Sequence, residues 1–289
     1  MAIPRHGVDA ALTPLLASPA RFSGYELRRA IDRAQMRVHY LQKYRSTPTG
    51  WTLSGVEALL RWDHPDHGLV YPVEFLHMAE EYELIGGLTD YVLQTGLDEV
   101  AAWKRAGHIL ELSVNMSSAL VTDADFPERL LHSLAQRGVA ARQLNLEITE
   151  LASMADRPHT LEILARLRRM DVGVSLDDFG VGHSSLTQLS QLPFSEVKID
   201  HSIGASLPKS ADGRSMARAI IDLGHQFGMK VCCEGVENAA ALEFLHQAGC
   251  DHAQGYHLAR PMTAAALADW IGAQRSPTGS VPSHPDLPG

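Results

Sequence analysis

Cysteine is scarce in this chain: three among 289 residues, at Cys232, Cys233 and Cys250. An odd number without framework spacing excludes a disulfide scaffold and fits a reducing compartment. The CxxC spacing of many zinc sites is missing, so the three thiols read as small buried hydrophobes. Long apolar runs are also missing. No window approaches the ~18 continuous apolar residues of a membrane span. Ala10–Leu16 is short and broken by Pro14, which is not the apolar core of a secretory signal. The expectation is a soluble, cytoplasmic protein with no membrane segment. Positive charge is in deficit, with 25 Lys and Arg against 34 Asp and Glu, a formal net charge of -9. Such a chain lacks the electrostatic footprint of a DNA or RNA polymer binder. A small phosphate ligand remains admissible where metals or local Arg and Lys reverse the field.

What is present is a core. Hydrophobic residues make up 45% of the chain, enough for one large folded domain. Residues 1–22, with Pro4, Pro14 and Pro19, read as a flexible N-terminal extension. Ser276–Gly289 reads as a disordered tail, because its 14 residues hold four prolines, two glycines and three serines. No low-complexity linker interrupts 23–275, which is expected to be one domain.

Within it, short β-rich runs alternate with helical patterns. The predicted strands are Met36–Tyr44, Leu53–Trp62, Ile109–Asn115, Gln143–Thr149, Val172–Asp177, Glu196–Asp200, Lys230–Glu234 and His252–Tyr256. Helical periodicity covers Pro72–Tyr82, Asp90–Arg105, Thr160–Met170, Gly213–Phe227, Ala239–Gln247 and Thr263–Ala273. This alternation predicts an α/β fold of TIM-like (β/α)8 type. Arg45–Thr52, with Pro48 and Gly50, is too short for a helical crossover. The first two strands should therefore be antiparallel, giving a modified barrel with one antiparallel strand.

Strand alternation assigns faces. Val172, Val174 and Leu176 share one face, leaving Ser175 and Asp177 inside. Leu144, Leu146 and Ile148 oppose Asn145 and Glu147. Leu112 and Val114 oppose Glu111, Ser113 and Asn115. Glu57 shares a face with Leu59 and Arg61, Lys198 with Asp200, and Cys232 with Glu234; Gln254 lies opposite Ala253 and Gly255. Asp178 reaches the same place as Asp177 only if the strand stops and the chain turns, a freedom supplied by Gly180 and Gly182.

The converging set is Glu57, Asn115, Glu147, Asp177, Asp178, Lys198, Glu234 and Gln254. Five carboxylates cannot share a dry pocket as bare anions, and one lysine cannot neutralise them. Two hard divalent cations can, and carboxylate and amide oxygens suit Mg²⁺ or Mn²⁺. The fifteen histidines fall outside the set, which argues against zinc. Two such ions, roughly 3.5–4 Å apart, clamp an in-line phosphoryl displacement. Lys198 would orient the attacking water, and Arg61 would bond a substrate phosphate.

These residues carry a resemblance. Glu57-Ala58-Leu59-Leu60-Arg61-Trp62, followed by His64-Pro65 and Gly68, is similar to the signature of EAL-domain cyclic di-GMP phosphodiesterases. So is the ordered series Ser113–Ser117, Glu147-Ile148-Thr149-Glu150, Asp177-Asp178-Phe179-Gly180, Lys198-Ile199-Asp200, Glu234–Glu237 and Gln254-Gly255-Tyr256 with Pro261. It extends over nearly all of Tyr25–Asp269. The resemblance implies hydrolysis of cyclic di-GMP to linear 5'-pGpG with Mg²⁺ or Mn²⁺, two per site, Ca²⁺ being inhibitory. It implies metal ligation by Glu57, Asn115, Glu147, Asp177, Asp178, Glu234 and Gln254, and a catalytic set of Lys198, Glu234 and Glu57. It places Gln42, Leu60, Arg61 and Asp200 against substrate and Glu150 and Glu237 in support of loops. It further implies a homodimer and a signalling partner. The competing reading is a cyclic di-GMP receptor with little turnover; degenerate relatives of that kind lose metal ligands, and this chain retains them all. Departures from the family pattern are Lys43, where proline is usual, and Val181 and His183 in the loop after Asp178.

Overall fold

The computed structural model describes residues 21–149, 157–181, 189 and 191–274. The predicted tail, most of the predicted leader, Glu150, Gly182 and His183 lie outside the described residues.

In chain order the elements are α1 (Gly24–Asp32), β1 (Met36–Thr47), β2 (Gly50–His64), β3 (Gly68–Val70), α2 (Pro72–Glu81), α3 (Ile85–Arg105) and β4 (Glu111–Asn115). Next come α4 (Ser118–Val121), α5 (Phe126–Arg137), β5 (Leu144–Thr149), α6 (Arg157–Arg169), β6 (Gly173–Phe179) and β7 (Glu196–Ile199). The last are α7 (His201–Ser206), α8 (Ala211–Gln226), β8 (Lys230–Cys233), α9 (Ala239–Gln247), β9 (His252–Ala253), β10 (Met262–Thr263) and α10 (Ala264–Gln274).

The chain divides into two compact units, one of residues up to Arg37 with Arg61–Ile85, the other of Val38–Leu60 with the chain from Gly86 on. The smaller contains α1 and α2. Ser23 opens α1 with a full capping box, its hydroxyl accepting from the Glu26 amide while Glu26 answers the Ser23 amide. Phe22 is buried here and its ring lies 4.8 Å from that of Trp62. The end of β2 pairs antiparallel with β3 in the same unit, Trp62 opposite Val70.

The larger unit contains the barrel. Its strands run β1-β9-β8-β7-β6-β5-β4-β2, and a β2–β1 pairing closes the ring. Neighbours from β2 through β9 are parallel, whereas β1 lies antiparallel to β9. This is the (β/α)8-like barrel with one reversed strand. The cause is the short connection: β1 and β2 run on to Thr47 and from Gly50, leaving Pro48 and Thr49 to make the turn, with φ of Gly50 at 126°. All eight predicted strands form. The structure adds α4, α7, β3 and β10, too short to show a period, and also α1 and α5, whose amphipathic patterns, with the Ser23/Glu26 capping box opening α1, are legible in the sequence.

The outward faces of the strands are the apolar core: Leu112, Val114, Leu146, Ile148, Val174, Leu176, Val197 and Val231 are essentially inaccessible. The inward faces are polar and fall into two layers. The lower is centred on Lys43, which is fully buried, with Nζ 2.7 Å from Glu196 Oε1 and 3.1 Å from Glu111 Oε1. Glu196 also meets His252 Nδ1 at 2.8 Å and accepts from Ser175 Oγ at 2.8 Å and Asn145 Nδ2 at 3.2 Å. Burial would raise the Glu196 carboxyl, but Lys43 and His252 outweigh it and hold it well below the usual range. Lys43 stays charged for the reciprocal reason: burial would lower it, and Glu196 and Glu111 more than reverse that. The cysteines are free and buried, as the composition suggests.

Removing the lysine from this layer strands Glu196 without its cation. Lys43→Ala is expected to cost about 3–5 kcal/mol of unfolding free energy. Urea denaturation at pH 7 measures it; a loss below about 1 kcal/mol, the range of an exposed pair, contradicts the buried pairing.

Candidate active site at the C-terminal mouth of the barrel

The upper polar layer stands at the C-terminal ends of the parallel strands, where barrels build their sites. At its centre is Lys198 of β7, fully buried. Its Nζ lies 2.6 Å from Glu147 Oε2 of β5 and 2.6 Å from Glu234 Oε1, just past β8. Asp177 Oδ1 of β6 is 3.2 Å away and Glu57 Oε2 of β2 is 3.6 Å away. Glu57 is held from both sides. Asn115 Nδ2 donates to its Oε1 and Gln254 Nε2 to its Oε2, each at 3.0 Å. Cys232 Sγ lies 3.4 Å from Gln254 Oε1 and fixes that amide in turn.

Two consecutive aspartates reach this mouth through a feature unlike the expected strand end. β6 continues to Phe179, and its pairing with β7 slips: Leu176 opposes Val197, yet Phe179 opposes Ile199. The extra residue makes a β-bulge, and Asp178 takes a left-handed φ of 57° within it. Non-glycine residues hold that conformation at a cost of order 1 kcal/mol, and such strain gathers at functional sites. Asp177 points into the layer and is buried, while Asp178 is exposed beside it. The glycine freedom expected from Gly180 and Gly182 is therefore taken up first by an aspartate.

Glu234 is set by a close approach. A Cβ on Gly204 of α7 would lie 1.7 Å from the Glu234 carbonyl oxygen, so only glycine lets α7 pack there. Asp200 caps the same helix, accepting from the Ser202 amide at 2.8 Å, and adds its charge beside Asp178.

Gln42 is fully buried, bonded by the Tyr44 hydroxyl and with its amide 3.8 Å from Met262 Sδ. Lys43 faces the barrel interior, so alternation along β1 turns Gln42 to the opposite face. Leu60 is buried within β2. Arg61 belongs to the smaller unit, where its guanidinium lies 4.9 Å over the Tyr71 ring. Glu237 is exposed, and the cap of α9 is Asn238, whose side chain accepts from the Ala241 amide at 3.0 Å. The sequence reading missed Glu196 and His252; Glu196 sits two residues before Lys198 and so shares its inward face.

The electrostatics are unbalanced. Burial alone would lower Lys198, but Asp177, Glu147, Glu234 and Glu57 together hold it well above its usual range. The carboxyls show the deficit. Burial pushes Glu147 well above the ordinary range despite Lys198, with Glu57 and Asp177 adding to the rise. Glu234 is raised to about 7, first by burial and then by Glu57 and Asp177. Asp178, exposed at its tip but crowded by protein at its base, is raised to about 6, first by that partial burial and then by Asp177 and Asp200. One buried oxygen, Glu147 Oε1, has no hydrogen-bond partner among the described residues, and Asp177 Oδ1 has only its 3.2 Å ion contact with Lys198 Nζ. Among those residues no three His, Cys, Asp or Glu side chains form a ready cation cluster; Lys198 Nζ stands between these acids. An orphaned carboxylate oxygen on Glu147, excess negative charge and an all-oxygen donor set nonetheless fit hard divalent cations.

The EAL domain family matches residues 25–261. The bifunctional diguanylate cyclase/cyclic di-GMP phosphodiesterase MucR of Pseudomonas aeruginosa is 39% identical over 244 residues, covering 84% of this chain and 35% of that protein. The cyclic di-GMP phosphodiesterase NbdA of the same organism is 38% identical over 251 residues, covering 86% of this chain and 32% of its own. The chain thus spans about a third of the length of these curated relatives. Among solved structures, the PaMucR phosphodiesterase in complex with c-di-GMP superposes with a TM-score of 0.79 at 38% identity, over 84% of this chain and 98% of that one. An EAL domain protein from Listeria monocytogenes EGD-e does so with a TM-score of 0.76 at 26% identity, over 88% of this chain and 100% of that one.

The raised carboxyls have a stability consequence of definite sign. A carboxyl at about 7 in the fold against 4.5 unfolded binds more protons when folded, so its contribution falls as pH rises between those values. In metal-stripped protein, the Tm of Glu234→Gln minus that of the wild type should grow from pH 4.5 to pH 7 and then level off. Calorimetry in EDTA at several pH values measures this, and a difference that shrinks across the window contradicts the assignment.

Proposed function

The chain belongs to the EAL domain family, and on that premise we propose that it hydrolyses one phosphodiester of cyclic di-GMP to linear 5'-pGpG. The observation that supports this most is the upper layer itself: four carboxylates within 3.6 Å of one buried ammonium, with Glu147 Oε1 left without a hydrogen-bond partner among the described residues. An acidic chain can receive a diphosphate ring at such a mouth only if cations intervene.

Glu57, Asn115, Glu147 and Asp177 would hold one divalent ion; Asp177 and Asp178 would hold the other, with Glu234 and Gln254 completing the donors. When bound, Mg²⁺ or Mn²⁺ supplies Lewis acidity toward the phosphoryl oxygens and a nucleophile available at neutral pH. The protein's own part is positional. Asn115 and Gln254 fix the Glu57 carboxylate, and the bulge at Asp178 aims two adjacent acids at one mouth. Lys198 keeps its proton and sets a permanent positive charge where water approaches phosphorus. The P–O3' bond breaks, water supplies the new oxygen on phosphorus, and its proton ends on the departing 3' oxygen. Asp200, beside Asp178, would contact substrate, as would Gln42, Leu60 and Arg61.

Chromatography of cyclic di-GMP incubated with the protein tests the proposal. We expect pGpG with Mg²⁺ or Mn²⁺, little with Ca²⁺, and rates reduced by about 100-fold or more in Glu57→Ala and Lys198→Ala. Saturable binding of cyclic di-GMP without product from the wild type overturns it and makes the chain a receptor.

A further inference from the structure

The opposite mouth of the barrel holds a cavity that the proposed reaction does not use. It lies where β8 and β9 begin and where β1, running the other way, ends. Its volume is about 410 Å³, and its wall includes Arg45, Ser46, Lys230, His246, Asp251 and His252. That volume is in the range of small-ligand pockets.

Its charge is uneven in a way that selects a ligand. Arg45 and Lys230 are exposed, and neither has an ion-pair partner among the described residues. The carboxylate in the wall is already engaged: Asp251 Oδ2 accepts from the Val231 amide at 2.9 Å and lies 2.8 Å from His225 Nε2. The carboxylate beneath the floor is engaged too, since Glu196 is held by Lys43 at 2.7 Å and His252 Nδ1 at 2.8 Å. This leaves the His252 Nε2 edge, in a buried side chain, without a partner among the described residues. Ser46 Oγ, 3.1 Å from His246 Nδ1, adds a hydroxyl. A guanidinium fork, an ammonium, a hydroxyl and imidazole edges are the groups that recognise a phosphate. On a chain of net charge -9, two unpaired cations flanking one cavity are a local reversal of field.

We propose that this cavity is a second ligand site, separate from the mouth built around Lys198, and that it binds a phosphate group, free or as a small monoester. Arg45 and Lys230 supply the charge, Ser46 and His252 the hydrogen bonds. The site stands or falls independently of turnover, because its residues lie at the other end of the strands.

Amide NMR of the full chain tests it, with inorganic phosphate and glucose 6-phosphate titrated separately at constant ionic strength. The expected result is saturable shifts at the amides of Ser46, Lys230, Gly249 and Asp251. Combined Arg45→Gln and Lys230→Gln substitution should weaken binding about tenfold or more. Both side chains are exposed, so the double variant spares the core, and its spectrum elsewhere should match the wild type. Tighter binding of glucose 6-phosphate identifies a monoester as the ligand; equal binding identifies the free ion. Shifts that grow linearly without saturation, that persist unchanged in the double variant, or that cluster only around Asp177 and Lys198 overturn the proposal.

Discussion

Everything at the C-terminal mouth depends on one buried ammonium facing more negative charge than it can balance. Lys198 lies within 3.6 Å of Glu57, Glu147, Asp177 and Glu234, and Asp178 adds a fifth acid at the rim. Buried charges are tolerated when paired, and the surplus acids here are not. Burial first, and the neighbouring acids second, push Glu147 and Glu234 above the ordinary carboxylate range. A fold selected for stability alone would replace such a cluster with apolar side chains; keeping it implies a cationic visitor.

The contrast with the lower layer sharpens this. Lys43, Glu196, Glu111 and His252 answer one another, and Asn145 and Ser175 complete the bonding of Glu196. That network neutralises Glu196, which stays anionic without a metal. The two layers share the same strands. Glu196 and Lys198 are two residues apart on β7, and Asn145 and Glu147 two apart on β5. One end of the barrel interior is thereby a self-satisfied brace and the other an open electrostatic demand.

Much of this was legible in the sequence, because strand period and barrel geometry are strong constraints. The eight strands, the reversed β1 and the inward faces of Glu57, Glu147, Asp177 and Lys198 all follow from alternation and connection length. The bulge does not. Nothing in Asp177-Asp178-Phe179-Gly180 says that the strand continues and that Asp178 takes the left-handed conformation, since that depends on register against β7. Lys43 was visible only as a departure from a resembled pattern; its partners Glu196 and His252 come from strands distant in sequence. Gln42 is buried against Met262 and the Tyr44 hydroxyl, contacts that strand period alone does not foretell. The short helices α4 and α7 escape periodicity because four and six residues are too few to display it.

The central claim is that the upper acids exist to hold divalent cations, and the most direct measurement is Mn²⁺ binding to metal-stripped protein without substrate, followed by calorimetry or by the resonance of free Mn²⁺. The account predicts saturable binding approaching two ions per chain, weakened by about tenfold or more in Asp177→Asn, which removes a carboxylate charge and keeps its shape. Mn²⁺ that fails to bind saturably, or that binds Asp177→Asn as well as the wild type, contradicts it.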